Sequence, residues 1–127
     1  MPLFSDCSKK ELQTIAANTD EIEVDNGYVL MREGEIGQEA FIILKGTASV
    51  MRGGKKIASL GSGAIFGELS LLDPGARTAT VVADTDMDLL VLGGRGLQLT
   101  LKSAPPIAVK MLRNLAARLR EYENTAH

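Results

Sequence analysis

The stretch Phe66-Gly67-Glu68-Leu69-Ser70-Leu71-Leu72-Asp73-Pro74-Gly75-Ala76-Arg77-Thr78-Ala79-Thr80-Val81-Val82-Ala83 decides how the rest of the chain reads. It opens on a tight glycine step, Phe66-Gly67. Leu69 to Leu72 is apolar but too short for a helix of any length. Asp73-Pro74-Gly75 turns the chain. The run from Thr78 to Val82, rich in β-branched residues, reads as a strand. This hairpin-like detour sets Glu68 and Arg77 facing each other. A helical turn at Gly67 to Ser70 has N–H groups without carbonyl partners of their own, which makes an anion site. Arg77 adds a planar, permanently charged fork matched to phosphate oxygens. The carboxylate of Glu68 can only accept hydrogen bonds, so a sugar hydroxyl suits it. Phosphate and ribose hydroxyl, read within one short cassette, point to a nucleotide. The plainer alternative for Glu68 and Arg77 is a structural ion pair with no ligand.

Outward from this cassette the chain alternates short strands with turns. On the N-terminal side, Ser8-Lys9-Lys10-Glu11 is a capping box, with Cys7 and Leu12 as a hydrophobic staple. It predicts a helix from Lys9 to about Asn18 with Leu12, Ile15 and Ala16 on one face. Ile22 and Val24 alternate with Glu21 and Glu23. Asp25-Asn26-Gly27 is a turn, Tyr28 to Arg32 a strand, and Glu33 to Gly37 a loop. Phe41 to Leu44 reads as a buried strand and Thr47 to Met51 as its successor. Arg52-Gly53-Gly54-Lys55 closes a hairpin into Lys56 to Leu60. Gly61-Ser62-Gly63 leads through Ala64-Ile65-Phe66 to the cassette. Thr78 to Ala83 and Met87 to Leu92 flank a turn at Asp84-Thr85-Asp86. Turns this frequent predict an antiparallel sandwich or roll.

The C-terminal part changes character. Gly93-Gly94-Arg95-Gly96 predicts a short or loose helix before Ser103, and a hinge or a plain flexible turn. Pro105 and Pro106 suit a first helical turn, and no Gly or Pro interrupts Ile107 to Glu123. Ala108, Leu112, Leu115, Leu119 and Tyr122 are spaced 4-3-4-3, a coiled-coil-like seam. Ile107 and Met111 form a second apolar column. One column can dock on the roll while the other meets a partner helix; the bland alternative is that both pack on the roll.

Composition narrows the function class. At 127 residues the chain reads as a single domain, 1–127, with a β-roll over about 20–92 and a helical segment over about 95–123. Aromatics are only 4%, with no Trp, so aliphatic side chains must fill the core. A net charge of −2 with mixed signs argues against direct DNA binding, which favours a basic stripe. One cysteine, Cys7, allows no intrachain disulfide. No apolar run reaches a membrane span and no signal pattern opens the chain, so a cytoplasmic location is expected. The one histidine is His127, which leaves no ligand set for a metal enzyme and no Ser–His or Cys–His pair. The glycines at 61, 63 and 67 precede no long helix, so a dinucleotide fingerprint fails. No catalytic residue and no metal site are expected.

The two halves Phe-Gly-Glu-Leu (66–69) and Arg-Thr-Ala-Thr-Val (77–81), nine positions apart from Glu68 to Arg77, resemble the phosphate-binding cassette of cyclic-nucleotide-binding domains. These occur in bacterial catabolite activators, kinase regulatory subunits and gated channels. The likeness extends from about Leu3 to Glu121. It implies a mainly β, jelly-roll-like antiparallel roll of about eight strands, with a short N-terminal helix and C-terminal helices. It implies an allosteric sensor that carries no catalytic cofactor and takes cyclic AMP more readily than cyclic GMP as its ligand. Transferred position by position, Arg77 and the N–H groups of Ser70 and Thr78 hold the cyclic phosphate, beside Leu69. Glu68 and the Gly67 backbone hold the ribose 2′-hydroxyl. Val50, Ile57 and Leu60 line the sugar and base, or are ordinary core residues. Arg118 and Tyr122, one turn apart, are candidates for capping the base; as bland readings they are a solvated charge and part of the seam. The Thr78 hydroxyl does not settle base selectivity. A homodimer through Ala108, Leu112, Leu115, Leu119 and Tyr122 is expected. No effector segment fits after Glu123, so the domain is expected to act in trans or as part of a longer chain. The alternative is an interaction module of the same fold that binds no nucleotide.

Overall fold

The computed structural model describes residues 3–125; His127 lies outside them. Residues 19–94 form one compact unit, and the two terminal segments, 1–18 and 95–127, form another.

The first unit is a β-roll. In chain order its strands are β1 (Asp20–Val24), β2 (Val29–Met31), β3 (Ile36–Gly37), β4 (Ala40–Lys45), β5 (Ala48–Arg52), β6 (Lys55–Leu60) and β7 (Ile65–Phe66). A five-residue helix, Glu68–Leu72, follows, and then β8 (Gly75–Ala76), β9 (Thr80–Ala83) and β10 (Met87–Leu92). Two four-stranded sheets, ordered β1-β10-β4-β7 and β2-β9-β5-β6, share one apolar core, and β3 pairs with β8 alone. All pairings are antiparallel. Core side chains come from both four-stranded sheets: Phe41, Ile43, Phe66, Met87 and Leu89 from one, Leu30, Ala48, Val81 and Ala83 from the other. Alternation does the sorting, because successive residues of a strand face opposite sides. In β9, for example, Val81 and Ala83 are buried while Thr80 and Val82 are half-buried.

Several expectations are corrected here. Ten strands form rather than about eight, the additions being the two-residue pair β3 and β8, inside what reads as a loop and a turn. Leu69 to Leu72 does become helical. The strand after the cassette begins at Thr80, not Thr78. The reason is that the backbone of residues 77–78 is engaged elsewhere. Arg77 N–H donates to Glu35 O (2.8 Å), Gly34 N–H to Arg77 O (2.9 Å), and Arg52 Nε to Thr78 O (3.0 Å). Leu44 is 42% exposed, because the β4–β10 register slips between Ile43↔Leu89 and Lys45↔Asp88 and leaves it as the extra residue of a bulge.

The second unit is helical. The capping box forms: Glu11 N–H donates to Ser8 Oγ and Ser8 N–H to Glu11 Oε1, opening α1 (Lys9–Ala17). Of its expected apolar face only Ile15 is buried; Leu12 is exposed, so the staple with Cys7 is not a buried one. With the cassette helix as α2, the next is α3, Gly94–Ser103, a ten-residue helix rather than a short or loose one. Thr100 Oγ1 donates to Gly96 O within it and accepts from Asn18 Nδ2 at the end of α1. The last helix, α4 (Pro106–Thr125), starts on a proline as expected. Its two columns separate: Ile107 and Met111 are buried, whereas Leu112, Leu119 and Tyr122 are exposed. Lys110 of α4 pairs with Glu11 of α1, and buried Asn114 donates to Leu3 O. Among the described residues no helix is long and apolar enough to cross a membrane.

Candidate functional site

The cassette begins where β7 ends. Gly67 takes φ +77°, a left-handed conformation that glycine enters without the Cβ penalty. This reverses the chain out of the sheet and into α2. Asp73 N–H donates to Leu69 O (2.9 Å) and closes the helix. The β3–β8 pair then catches the returning chain, with Ile36 opposite Ala76 and Gly37 opposite Gly75. Arg77 is the next residue, so its position is fixed by a strand pair 38 to 40 residues removed in sequence.

Arg77 is the buried charge of this region, 8% exposed. Its Nη1 donates to Glu39 O (2.9 Å) and more weakly to Gly67 O (3.4 Å). Its Cζ lies 5.9 Å from the centre of the Phe41 ring, within cation–π range. Phe41 in turn stacks on Phe66, its register partner across β4 and β7, at 5.1 Å and 16°. Burial pushes the guanidinium below its usual pKa, with the Glu39 carboxylate acting the other way. Its hydrogen bonds therefore go to neutral oxygens, in surroundings that disfavour an unpaired charge.

One small cleft is lined by Met31, Gly67, Glu68, Leu69, Ser70, Ala76, Arg77 and Thr78. All six expected phosphate- and ribose-site residues thus meet at one place. The cleft measures about 100 Å³, against ~300–1,000 Å³ for typical small-molecule sites. The cleft is too small to enclose a whole small-molecule ligand of that kind. One expectation is corrected: the Ser70 N–H donates to Gly67 O (3.2 Å), so this donor of the turn is not without a carbonyl partner. The bond is long, of the tight-turn type that closes a helix start.

Of the expected apolar lining, Val50 and Leu60 are half-buried and pack against the roll's core. Ile57 is 51% exposed and is the extra residue of a bulge, between the pairs Val50↔Ala58 and Met51↔Lys56. Bulges re-aim side chains, and Ile57 is not part of the roll's core; none of the three is among the residues lining the cassette cleft. Arg118 (half-buried) and Tyr122 (69% exposed) lie on α4, in the helical unit. Cys7 is half-buried, and burial followed by the Glu11 charge pushes its thiol up, away from nucleophilic chemistry. Among the described residues no cluster of three or more metal-ligating side chains occurs.

Sequence reasoning missed Gly37, Glu39 and Phe41, the residues around Arg77. One signal was the aromatic pair Phe41 and Phe66 on adjacent strands, but nothing in the linear order ties it to Arg77.

Known proteins resemble this chain in sequence and fold. The cyclic nucleotide-binding domain family matches residues 21–103, which take in the whole cassette. The cyclic AMP receptor protein of Thermus thermophilus is 32% identical over 125 residues, covering 94% of this chain and 58% of that protein. The cGMP-dependent protein kinase of Eimeria tenella is 36% identical over 93 residues, 72% of this chain and 9% of the kinase. The crystal structure of the N-terminal domain of a transcriptional regulator from Streptomyces coelicolor A3(2) superposes with a TM-score of 0.90 at 32% identity, covering 100% of this chain and 92% of that one. The chain spans only 58% and 9% of the two full-length relatives. With its roll, its cassette and its match over most of the β unit, the chain belongs to the cyclic nucleotide-binding domain family.

Proposed function

We propose that this chain is a non-catalytic cyclic-nucleotide sensor, that it prefers cyclic AMP to cyclic GMP, and that it reports occupancy through α4. The observation that carries the reading is Arg77: a buried guanidinium on the cassette cleft, hydrogen-bonded to two neutral carbonyl oxygens. A phosphate is the anion its planar fork suits. Arg77 and the Thr78 backbone take the cyclic phosphate; the Ser70 N–H joins them only by giving up its bond to Gly67 O. Glu68 and the Gly67 backbone take the ribose 2′-hydroxyl. Val50, Ile57 and Leu60 flank the sugar and base. Arg118 and Tyr122 are the base-capping candidates. A ligand can shift α4 only by its differential affinity for the two arrangements. The preference for cyclic AMP follows the relative matched over 94% of this chain, a cyclic AMP receptor protein; a cGMP-dependent kinase is matched over 72% of it, and titration decides between the two nucleotides.

Calorimetric titration with both nucleotides tests this. The expected outcome is saturable binding of one nucleotide per chain, tighter for cyclic AMP. Absence of heat with either one, on folded protein, replaces the sensor reading with the second. That second reading is an interaction module that dimerises through Ala108, Leu112, Leu115, Leu119 and Tyr122. Its support is the exposure of Leu112 (65%), Leu119 (59%) and Tyr122 (69%) along one stripe of α4. The sensor reading includes the same homodimer, so the nucleotide titration is what separates them.

A further inference from the structure

We propose that Gly37 and Phe41 are positioning residues for the phosphate grip, and that Gly37 is glycine because Arg77 lies across it. This rests on the reading of the cassette as a phosphate site. A Cβ at Gly37 would fall 1.9 Å from Arg77 Nε, 2.2 Å from Cζ and 2.7 Å from Cδ. No other atom comes as near. The Gly37 φ is not positive, so the backbone itself admits any residue. The three atoms nearest to such a Cβ all belong to the arginine side chain. Gly37 is buried, and it sits in β3 opposite Gly75, two residues before Arg77. The strand pair that delivers Arg77 to the site is thus the one that leaves room for its side chain. Phe41 supplies the second constraint. Its ring face attracts the cation, and its stacking on Phe66 ties that face to the residue preceding Gly67. The Glu39 carbonyl holds Nη1 from the same β3–β4 segment.

A side chain at Gly37 would push the arginine rather than the backbone. Arginine is flexible, and a cleft lined by Ile36, Gly37, Gln38, Glu39, Arg77, Gly93 and Gly94 borders it, giving the displaced guanidinium somewhere to go. Gly37→Ala therefore changes the aim of Arg77 and spares the fold. A residue needed only for packing behaves in the opposite way.

The test combines calorimetry with cyclic AMP, thermal denaturation and 15N–1H spectra of the Arg77 guanidinium. In Gly37→Ala, affinity falls about tenfold or more while the melting midpoint stays within a few degrees of wild type. In an Arg77→Ala background the same substitution has no further effect on affinity, because the group it acts through is gone. Phe41→Leu weakens binding several-fold and Phe41→Tyr restores it. The Arg77 Nε–Hε resonance shifts in both Gly37→Ala and Phe41→Leu, and this readout needs no nucleotide. Wild-type affinity in Gly37→Ala, or equal losses in the presence and absence of Arg77, overturns the proposal. If the wild type binds neither nucleotide, the sensor reading fails. The spectra then decide the positioning claim separately, and an unmoved resonance in Gly37→Ala overturns it.

Discussion

Arg77 holds a charge where water barely reaches, 8% exposed and bonded to backbone carbonyls. Truncating one member of a buried charge pair costs ~2–5 kcal/mol, which is roughly tens- to thousands-fold in affinity. Arg77→Ala is therefore expected to weaken cyclic AMP by that range in a calorimetric titration; a change within about threefold would remove Arg77 from the site. Arg77→Lys recovers only part, since an ammonium cannot make a two-pronged contact. The same burial makes Arg77→Met informative without ligand. A buried charge without a counter-ion is costly, but losing it strips Glu39 O of its donor, so the two effects oppose and the unliganded domain should melt within a few degrees of wild type. Glu68, half-buried on the cleft, makes a separate claim on the sugar. If Glu68 takes the 2′-hydroxyl as proposed, 2′-deoxy cyclic AMP should bind the wild type more weakly by ~1–3 kcal/mol, and Glu68→Gln should narrow that gap. Equal affinity of the wild type for both ligands takes Glu68 out of the ribose contact. Both residues were legible from sequence because the cassette is local. Gly37 and Phe41 were not, because what they touch is fixed by a strand pairing far away along the chain.

Among the elements, the long strands and α4 were legible, since alternation, the Gly53-Gly54 hairpin and the proline start act within a few residues. The two-residue strands β3 and β8 and the late start of β9 at Thr80 were not, because neither segment carries a period of its own. On α4, separation of the buried Ile107 and Met111 from the exposed Leu112 and Leu119 leaves an exposed apolar stripe, the seam of the proposed dimer. Leu112→Glu with Leu119→Glu should convert a sedimenting dimer into a monomer with unchanged secondary structure; a persisting dimer would place the interface elsewhere. The α1–α4 pair is pH-sensitive. The hydrogen bond from Lys110, then that from the Ser8 backbone, holds the Glu11 carboxyl below its usual pKa. Its folded pKa is the lower one, so its stabilisation is present above the ordinary carboxylate range and lost as pH falls through the folded value. The melting difference between wild type and Glu11→Gln should accordingly shrink on acidification. A difference that stays constant down to low pH would mean the pair contributes through packing alone.

At the scale of the whole molecule, the chain passes between the β unit and the helical unit twice, at Asn18/Thr19 and at Gly94/Arg95. The second passage runs through Gly93 and Gly94, and a Cβ at either would meet nothing within 4 Å. No neighbour demands glycine there, and glycine within a helix costs ~0.5–1 kcal/mol relative to alanine. In the proposed sensor the roll holds the phosphate and ribose, and base capping by Arg118 or Tyr122 is a separate proposal. These two grips have separable signatures. Loss of Arg77 weakens cyclic AMP and cyclic GMP by the same factor, because their phosphates are identical. If Arg118 or Tyr122 caps the base as proposed, Arg118→Ala or Tyr122→Ala should weaken cyclic AMP several-fold and draw the two affinities together. What preference remains belongs to Thr78 and the rest of the roll. If both variants keep the affinity and the preference of the wild type, α4 does not cap the base, and its exposed stripe serves association alone.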